Sequence, residues 1–242
     1  MRYGLIAVGV LVCALSSASA AAPPTPTSAQ PLVAPAPTVE QFIAGGDEFA
    51  APTPPGFCDP AGRMTAWVAA TAKAMAGADE QIGAVWLNCD AQPGINGTVK
   101  LAVLGVSLFP SKVTEPRSEA LKNFADLLRK NGGELTTEEA QMAFKDAQAA
   151  SRKVLGPGIN MDVKPHFAGV DDYAVYGAGH VRVAGAPEPI RGVFVVATTV
   201  IKGRPVAYSI ICFGASEAQA GVMLEEVKLE ARRLVEANPD PK

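Results

Sequence analysis

The stretch "IRGVFVVATTVIKGRPVAYSIICF", residues 190–213, decides the fold of this chain. Its apolar runs, at 190–201 and 205–214, predict two strands joined by the turn-forming sequence KGRP. A connection this short joins antiparallel neighbours, because a parallel crossover needs a dozen or more residues. In the first run both alternating sets of side chains are apolar or nearly so. This pattern predicts a central strand with helices on both faces of its sheet.

Four further strands are predicted before this hairpin, at 82–89, 97–108, 160–167 and 172–184. The first two are joined by the turn-rich sequence DAQPGING, and the last is joined to residue 190 by AGAPEP. Both connections are too short for a parallel crossover and therefore indicate antiparallel pairing. The last four strands are expected to form a meander within one sheet of about six strands.

Apolar residues at helical spacing predict four helices, at about 60–77, 116–130, 136–155 and from Ser216 to just before Pro239. Capping patterns support the starts of three of them. Asp59 and Pro60 suit the start of the first, and TTEE at 136–139 and Ser216 with Gln219 match capping boxes. The predicted fold class is α+β, an antiparallel sheet of about six strands with helices packed on its faces.

Residues 1–20 have the order of a secretory signal peptide: a basic start, an apolar run from Leu5 to Leu15, and small residues up to Ala20. The run is shorter than the ~20 apolar residues of a membrane-spanning helix. Cys13 does not fit lipoprotein cleavage, because a bulky valine precedes it. We expect cleavage after Ala20, a periplasmic or secreted location, and no stable membrane insertion of the mature protein.

The next segment, 21–38, is rich in proline and alanine and predicts a flexible, extended linker, because proline fixes φ and lacks an amide donor. Residues 39–242 fit a single α+β domain. The whole chain has a net charge of −3, and losing Arg2 with the signal makes it slightly more acidic. No basic patch stands out in the sequence, so we expect no nucleic-acid partner and no attraction to anionic lipid.

The predicted order of elements is helix, two strands, two helices, four strands and a closing helix. This order resembles the PsbP-like family, the extrinsic photosystem subunits and their relatives. The segments Gly56-Phe57-Cys58 and Asn88-Cys89-Asp90 are also similar to small exported bacterial proteins without an assigned activity. The resemblance implies an accessory or binding role. It carries over no functional residue, because it rests on element order and not on a motif.

Three cysteines remain after removal of the signal, and in an exported protein thiols tend to pair. Three pairings are open, of which the order of elements favours Cys58 with Cys89. The first of these precedes a predicted helix, and the second ends the strand that follows that helix. A loop of this size contributes about 3.5–4 kcal/mol before any strain is subtracted. Cys212 lies in an apolar strand and is interpreted as a small buried hydrophobic residue.

The two histidines, His166 and His180, carry the alternatives. If their strands pair, the two histidines lie close to each other and to Asp171 and Asp172, and such a cluster is suited to binding a metal ion. The first alternative is therefore a periplasmic metal-binding protein. The other alternative is an exported hydrolase or redox enzyme that uses His166, His180 or Cys212. The sequence has no C-x-x-C pair, no nucleophile elbow and no phosphate loop. We therefore assign no catalytic residue, no metal ligand and no cofactor.

One polar face remains as a candidate ligand-binding surface. Two-residue periodicity places Tyr176, His180 and Arg182 on the same side of one strand. The meander also contains further aromatic and basic residues: Tyr173, Arg191, Lys202, Arg204 and Tyr208. Such a face is suited to an acidic or sugar-like ligand. The leading interpretation is an exported accessory protein without catalytic activity, which binds a protein or a cell-envelope component.

Overall fold

A computed structural model describes residues 38–60, 80–90, 99–109, 111–130, 160–184 and 190–240. Within these ranges the chain forms nine strands and two helices. The strands are β1 (Val39–Ala44), β2 (Asp47–Pro52), β3 (Phe57–Cys58), β4 (Glu80–Asn88), β5 (Val99–Ser107), β6 (Asn160–Val170), β7 (Val175–Ala184), β8 (Ile190–Ile201) and β9 (Arg204–Phe213). The helices are α1 (Arg117–Lys130) and α2 (Ala218–Ala237).

Seven strands form one antiparallel sheet in the order β3-β4-β5-β9-β8-β7-β6. The meander β6–β9 makes one half, and β5 pairs with β9 to join it to β3 and β4. The α+β class, the antiparallel sheet and the interior position of β8 are thus confirmed. The sheet has one strand more than predicted, because β3 spans only two residues and is too short to show a periodic pattern.

The hairpin β1–β2 forms a separate two-stranded sheet that was not predicted. Gly45 and Gly46 make its turn with φ of 56° and 86°, which glycine adopts without steric cost. A Gly-Gly pair between two short alternating runs is a hairpin signal. The hairpin packs on the seven-stranded sheet through Phe49 and Ala51, in the same core cluster as Trp86.

The two helices pack on opposite faces of the seven-stranded sheet. Leu121 and Leu128 of α1 pack against Val175, whereas α2 lies over Tyr176, the next residue of β7. Successive side chains of a strand point to opposite faces, so these contacts place α1 and α2 on different sides. The prediction of helices on both sides of the central strands is confirmed. The predicted helices at 60–77 and 136–155 lie outside the described residues.

The predicted disulfide between Cys58 and Cys89 is present, with a Cα–Cα distance of 5.0 Å. It ties the end of β3 to the residue after β4, and the Cys89 amide also donates to the Gly56 carbonyl at 2.9 Å. Cys212 is a free, buried cysteine. Neither helix in the described ranges combines the length and apolar character needed to cross a bilayer.

Candidate functional site

Tyr176 of the predicted ligand-binding face is buried under α2. The residue is 1% exposed, and its hydroxyl donates to Asp171 Oδ2 at 2.8 Å. Lys228 of α2 lies over its ring, with Nζ 6.0 Å from the centroid. Burial, followed by the hydrogen bond to Asp171, raises the pKa of the phenol far above its usual value. Tyr176 is a core residue with a satisfied hydroxyl, and we leave it out of the candidate surface.

Most of the other aromatic and basic residues of the meander are also engaged within the molecule. Lys202 and Arg204, at the β8–β9 turn, bond to the β1–β2 hairpin. Tyr208 is 4% exposed beneath α2, and burial raises its pKa well above the usual value. The Tyr173 ring lies under Arg232, with 5.6 Å between the guanidinium carbon and the ring centroid. These residues therefore contact other parts of the protein and do not form one exposed face with His180 and Arg182.

Three exposed basic side chains remain at the end of the sheet where β7 connects to β8. They are His180, Arg182 and Arg191, which we call the basic patch. His180 and Arg182 lie two residues apart on the same face of β7, the face that α2 covers further along the strand. Arg191 of β8 lies directly opposite Arg182. Within the described part of the chain, neither arginine makes an ion pair.

The two arginines face each other as like charges. Side chains at directly opposite positions of an antiparallel pair lie about 4.5–5.5 Å apart at Cβ, and like charges at such positions destabilise the sheet. The register also sets Asp162 of β6 across from Arg182 on its other side. Two exposed arginines at opposite register positions are suited to an oxygen anion, since each guanidinium group can donate paired hydrogen bonds to a carboxylate.

Glu217, the residue before α2, brings an acidic group to the patch. Its Oε1 lies 3.3 Å from Nε2 of His180, and its side chain is 84% exposed. The predicted capping box is formed in part: Gln219 accepts from the Ser216 amide at 2.8 Å. The N-cap residue is Glu217 and not Ser216, and the Glu217 side chain caps no backbone amide. Its carboxylate is therefore turned towards β7 instead of the helix start.

Two glycines position Arg191 and the start of α2. A Cβ on Gly192 would lie 2.6 Å from the Cys212 carbonyl oxygen, so only glycine permits this approach of β9 to β8. Gly214, with φ of 79°, turns the chain from β9 towards α2 and donates its amide to the Arg191 carbonyl at 2.9 Å. The same turn brings Glu217 to His180.

The two histidines occupy different positions along the β6–β7 pair. His166 lies opposite Ala178, whereas His180 lies opposite Lys164. Asp171 is engaged locally, since Oδ1 accepts from the amides of Tyr173 and Ala174 at 2.8 and 3.0 Å. No group of three His, Cys, Asp or Glu side chains in the described ranges is arranged to hold a metal ion.

The thiol named in the enzyme alternative is inside the core. Cys212 is 0% exposed, and burial raises the pKa of its thiol while the nearby Lys100 acts in the opposite direction. Lys100 itself is paired with Glu226 at 2.9 Å. A buried thiol with a raised pKa is a weak nucleophile. The register places Val193 between His180 and Cys212, so the two groups belong to strands that are not neighbours.

Part of the basic patch is predictable from the sequence. Alternation along one strand placed His180 and Arg182 on one side, and Arg191 was recognised only as a basic residue of the meander. Its position opposite Arg182 follows from the pairing register, which was not predicted. Glu217 was missed, because its neighbour Ser216 is a stronger capping residue by type.

Comparison with family models gives no match, and comparison with curated proteins gives none either. Comparison with solved structures finds a mutant of the protein Mog1, 15% identical over 83% of this chain and 94% of that chain, with a TM-score of 0.30. It also finds the Saccharomyces cerevisiae Ran-binding protein Mog1p, 15% identical over 84% of this chain and 95% of that chain, again with a TM-score of 0.30. Similarity at this level carries no conclusion about the fold or function of this chain.

The resemblance to the PsbP-like family, expected from the order of elements, is not borne out. No family model matches this chain, and the two solved structures named above are Mog1 structures and not PsbP-like ones. The resemblance rested on the order of elements, to which the structure adds β3 and the separate β1–β2 sheet. The chain is therefore not assigned to the PsbP-like family.

Proposed function

We propose that this protein is an exported accessory protein that binds an acidic partner, a protein or a cell-envelope component, through the basic patch. The observation that carries the proposal is the pair of exposed arginines, Arg182 and Arg191, placed directly opposite each other on β7 and β8. Such a pair costs free energy in the free protein through repulsion, and an anionic partner relieves it.

Charge complementarity supports an acidic partner over other chemistries. The chain as a whole carries a net charge of −3, so a local concentration of basic side chains contrasts with the rest of the surface. Complementary potential increases the rate of encounter with an oppositely charged partner. Exposed charges are screened by salt, so binding through this patch is expected to weaken as ionic strength rises.

Export is part of the proposal and rests on the sequence of residues 1–20. The Cys58–Cys89 disulfide supports it, since such bonds persist mainly in oxidising compartments. A binding role has more support than the enzyme alternative, because the Cys212 thiol is buried and His180 faces a glutamate instead of a nucleophile.

A titration with labelled poly-L-glutamate tests the proposal. The double variant Arg182→Gln/Arg191→Gln is expected to bind roughly 2- to 30-fold more weakly than the wild type, since exposed charge pairs contribute about 0.2–1 kcal/mol each. Fluorescence anisotropy at low and at high salt measures the dissociation constants.

The matched control is Lys122→Gln/Lys130→Gln, which removes the same charge from exposed positions of α1 on the opposite face of the sheet. This control is expected to bind nearly as tightly as the wild type. Equal weakening in both double variants would show that only net charge matters and would contradict the proposal. Absence of wild-type binding at low salt would also contradict it.

A further inference from the structure

We propose that the basic patch recognises an extended polypeptide segment with acidic residues at alternate positions, and that Glu217 occupies one of these acidic positions in the free protein. This inference rests on the proposed function and names the partner's chemistry. The expected partner is a protein segment, because the basic side chains of β7 are spaced with the repeat of a β-strand.

The spacing of the basic side chains along β7 matches the repeat of an extended peptide. His180 and Arg182 lie two residues apart on the same face, which corresponds to about 6.6–6.8 Å along the strand. An extended segment with acidic side chains at alternate positions has the same repeat. Such a segment can therefore place one carboxylate at His180 and the next at Arg182 without leaving the extended conformation.

The arginine pair across β7 and β8 offers two donors to one carboxylate. Arg191 stands beside Arg182 at the directly opposite position of β8. A single carboxylate that reaches this point can accept hydrogen bonds from both guanidinium groups. The patch thus offers one site with a single histidine and a second site with two arginines, and the strand repeat separates them.

A carboxylate of the protein itself, that of Glu217, already lies at the histidine site. This carboxylate contacts Nε2 of His180 at 3.3 Å, although the side chain is 84% exposed and caps no backbone amide. The contact has the geometry that a partner's acidic side chain needs at this position. Glu217 therefore competes with the partner for His180, and its negative charge repels an acidic segment.

Two peptides of equal composition test the spacing. The peptide (Glu-Thr)8 presents carboxylates at alternate positions, whereas (Glu-Glu-Thr-Thr)4 carries the same charge in pairs whose members point to opposite sides of an extended chain. We expect the alternating peptide to bind the protein roughly 1.5- to 5-fold more tightly, since one additional exposed charge pair is gained. Isothermal titration at low salt measures both constants.

The variant Glu217→Gln tests the competitor. It is expected to bind the alternating peptide roughly 2- to 5-fold more tightly than the wild type. The control is Glu236→Gln, which removes the same charge from the other end of α2, where Glu236 pairs with Arg232 at 2.7 Å. This control is expected to change the affinity less than the Glu217 variant does.

The outcomes separate this inference from the proposed function. Equal affinity for the two peptides, with binding still weakened by Arg182→Gln/Arg191→Gln, would overturn the spacing and leave the proposed function standing. Unchanged or weaker binding by Glu217→Gln would overturn the competitor role. Binding of neither peptide would remove the proposed function together with the inference.

Discussion

Two glycines that look alike in the sequence have opposite surroundings in the structure. A Cβ on Gly192 would lie 2.6 Å from the Cys212 carbonyl oxygen and 3.3 Å from the Phe213 Cα, both backbone atoms that cannot move aside. Gly221, near the start of α2, is exposed, and a Cβ added there would have no heavy atom within 4 Å. Gly192 is required by the approach of β9 to β8, whereas Gly221 weakens its helix.

The two substitutions to alanine are therefore expected to change stability in opposite directions. Gly192→Ala should lower the free energy of unfolding by about 1–3 kcal/mol, because the added methyl group forces the strands apart. Gly221→Ala should raise it by about 0.5–1 kcal/mol through helix propensity. Urea denaturation of both variants measures these changes. An unchanged free energy of unfolding for Gly192→Ala would contradict the close packing at this position.

At the scale of elements, one carboxylate fastens the β1–β2 hairpin to the seven-stranded sheet. Asp47 Oδ2 accepts from Nε of the buried Arg204, and Oδ1 accepts from Nζ of Lys112, both at 2.7 Å. Arg204 also donates to the Gly45 carbonyl at 2.6 Å. Hydrogen bonds from Lys112 and then Arg204 lower the pKa of Asp47 below its usual 3.8.

Asp47→Asn is expected to destabilise the protein by about 1–2 kcal/mol near pH 6, because Arg204 loses a charged partner and solvent screens part of the effect. Since the folded pKa of Asp47 is lowered, its contribution is present above the unfolded pKa and is lost as pH falls through the folded value. The difference from the wild type should therefore shrink below about pH 4.

Urea unfolding of both proteins between pH 2 and pH 7 measures this difference, with about 0.5 kcal/mol or less expected for the control Asp126→Asn. Asp126 forms an exposed pair with Arg129 on α1. A difference between wild type and Asp47→Asn that stays constant down to the lowest pH would contradict the assigned role of Asp47.

The elements themselves were largely predictable from the sequence, where the pattern was long enough. Alternation and short turns gave the residues 190–201 of β8 without error and the other meander strands within a few residues. Helical periodicity located α1 and α2 within one or two residues of their starts. The short strands β1, β2 and β3 were missed, because runs of two to six residues carry little periodicity and their position depends on what they pack against.

At the scale of the whole molecule, the basic patch combines residues of two consecutive strands with one residue that lies just before α2. The β7–β8 register sets Arg191 opposite Arg182, and the turn after β9 delivers Glu217 to His180. Two-residue periodicity grouped Tyr176 with His180 and Arg182, because it predicts which face of the sheet a side chain lies on. It does not predict how much of that face α2 covers. The part of that face beneath α2 is core, and the part beyond the start of α2 is surface.

The most direct test of the binding account is a map of the contact surface by NMR. Backbone amide shifts of the ¹⁵N-labelled protein are recorded as the alternating peptide (Glu-Thr)8 is added. We expect the largest changes at His180, Arg182, Arg191 and Glu217, where the basic patch meets the start of α2. Larger changes on α1 or on the β1–β2 hairpin, with these four residues unaffected, would contradict the account.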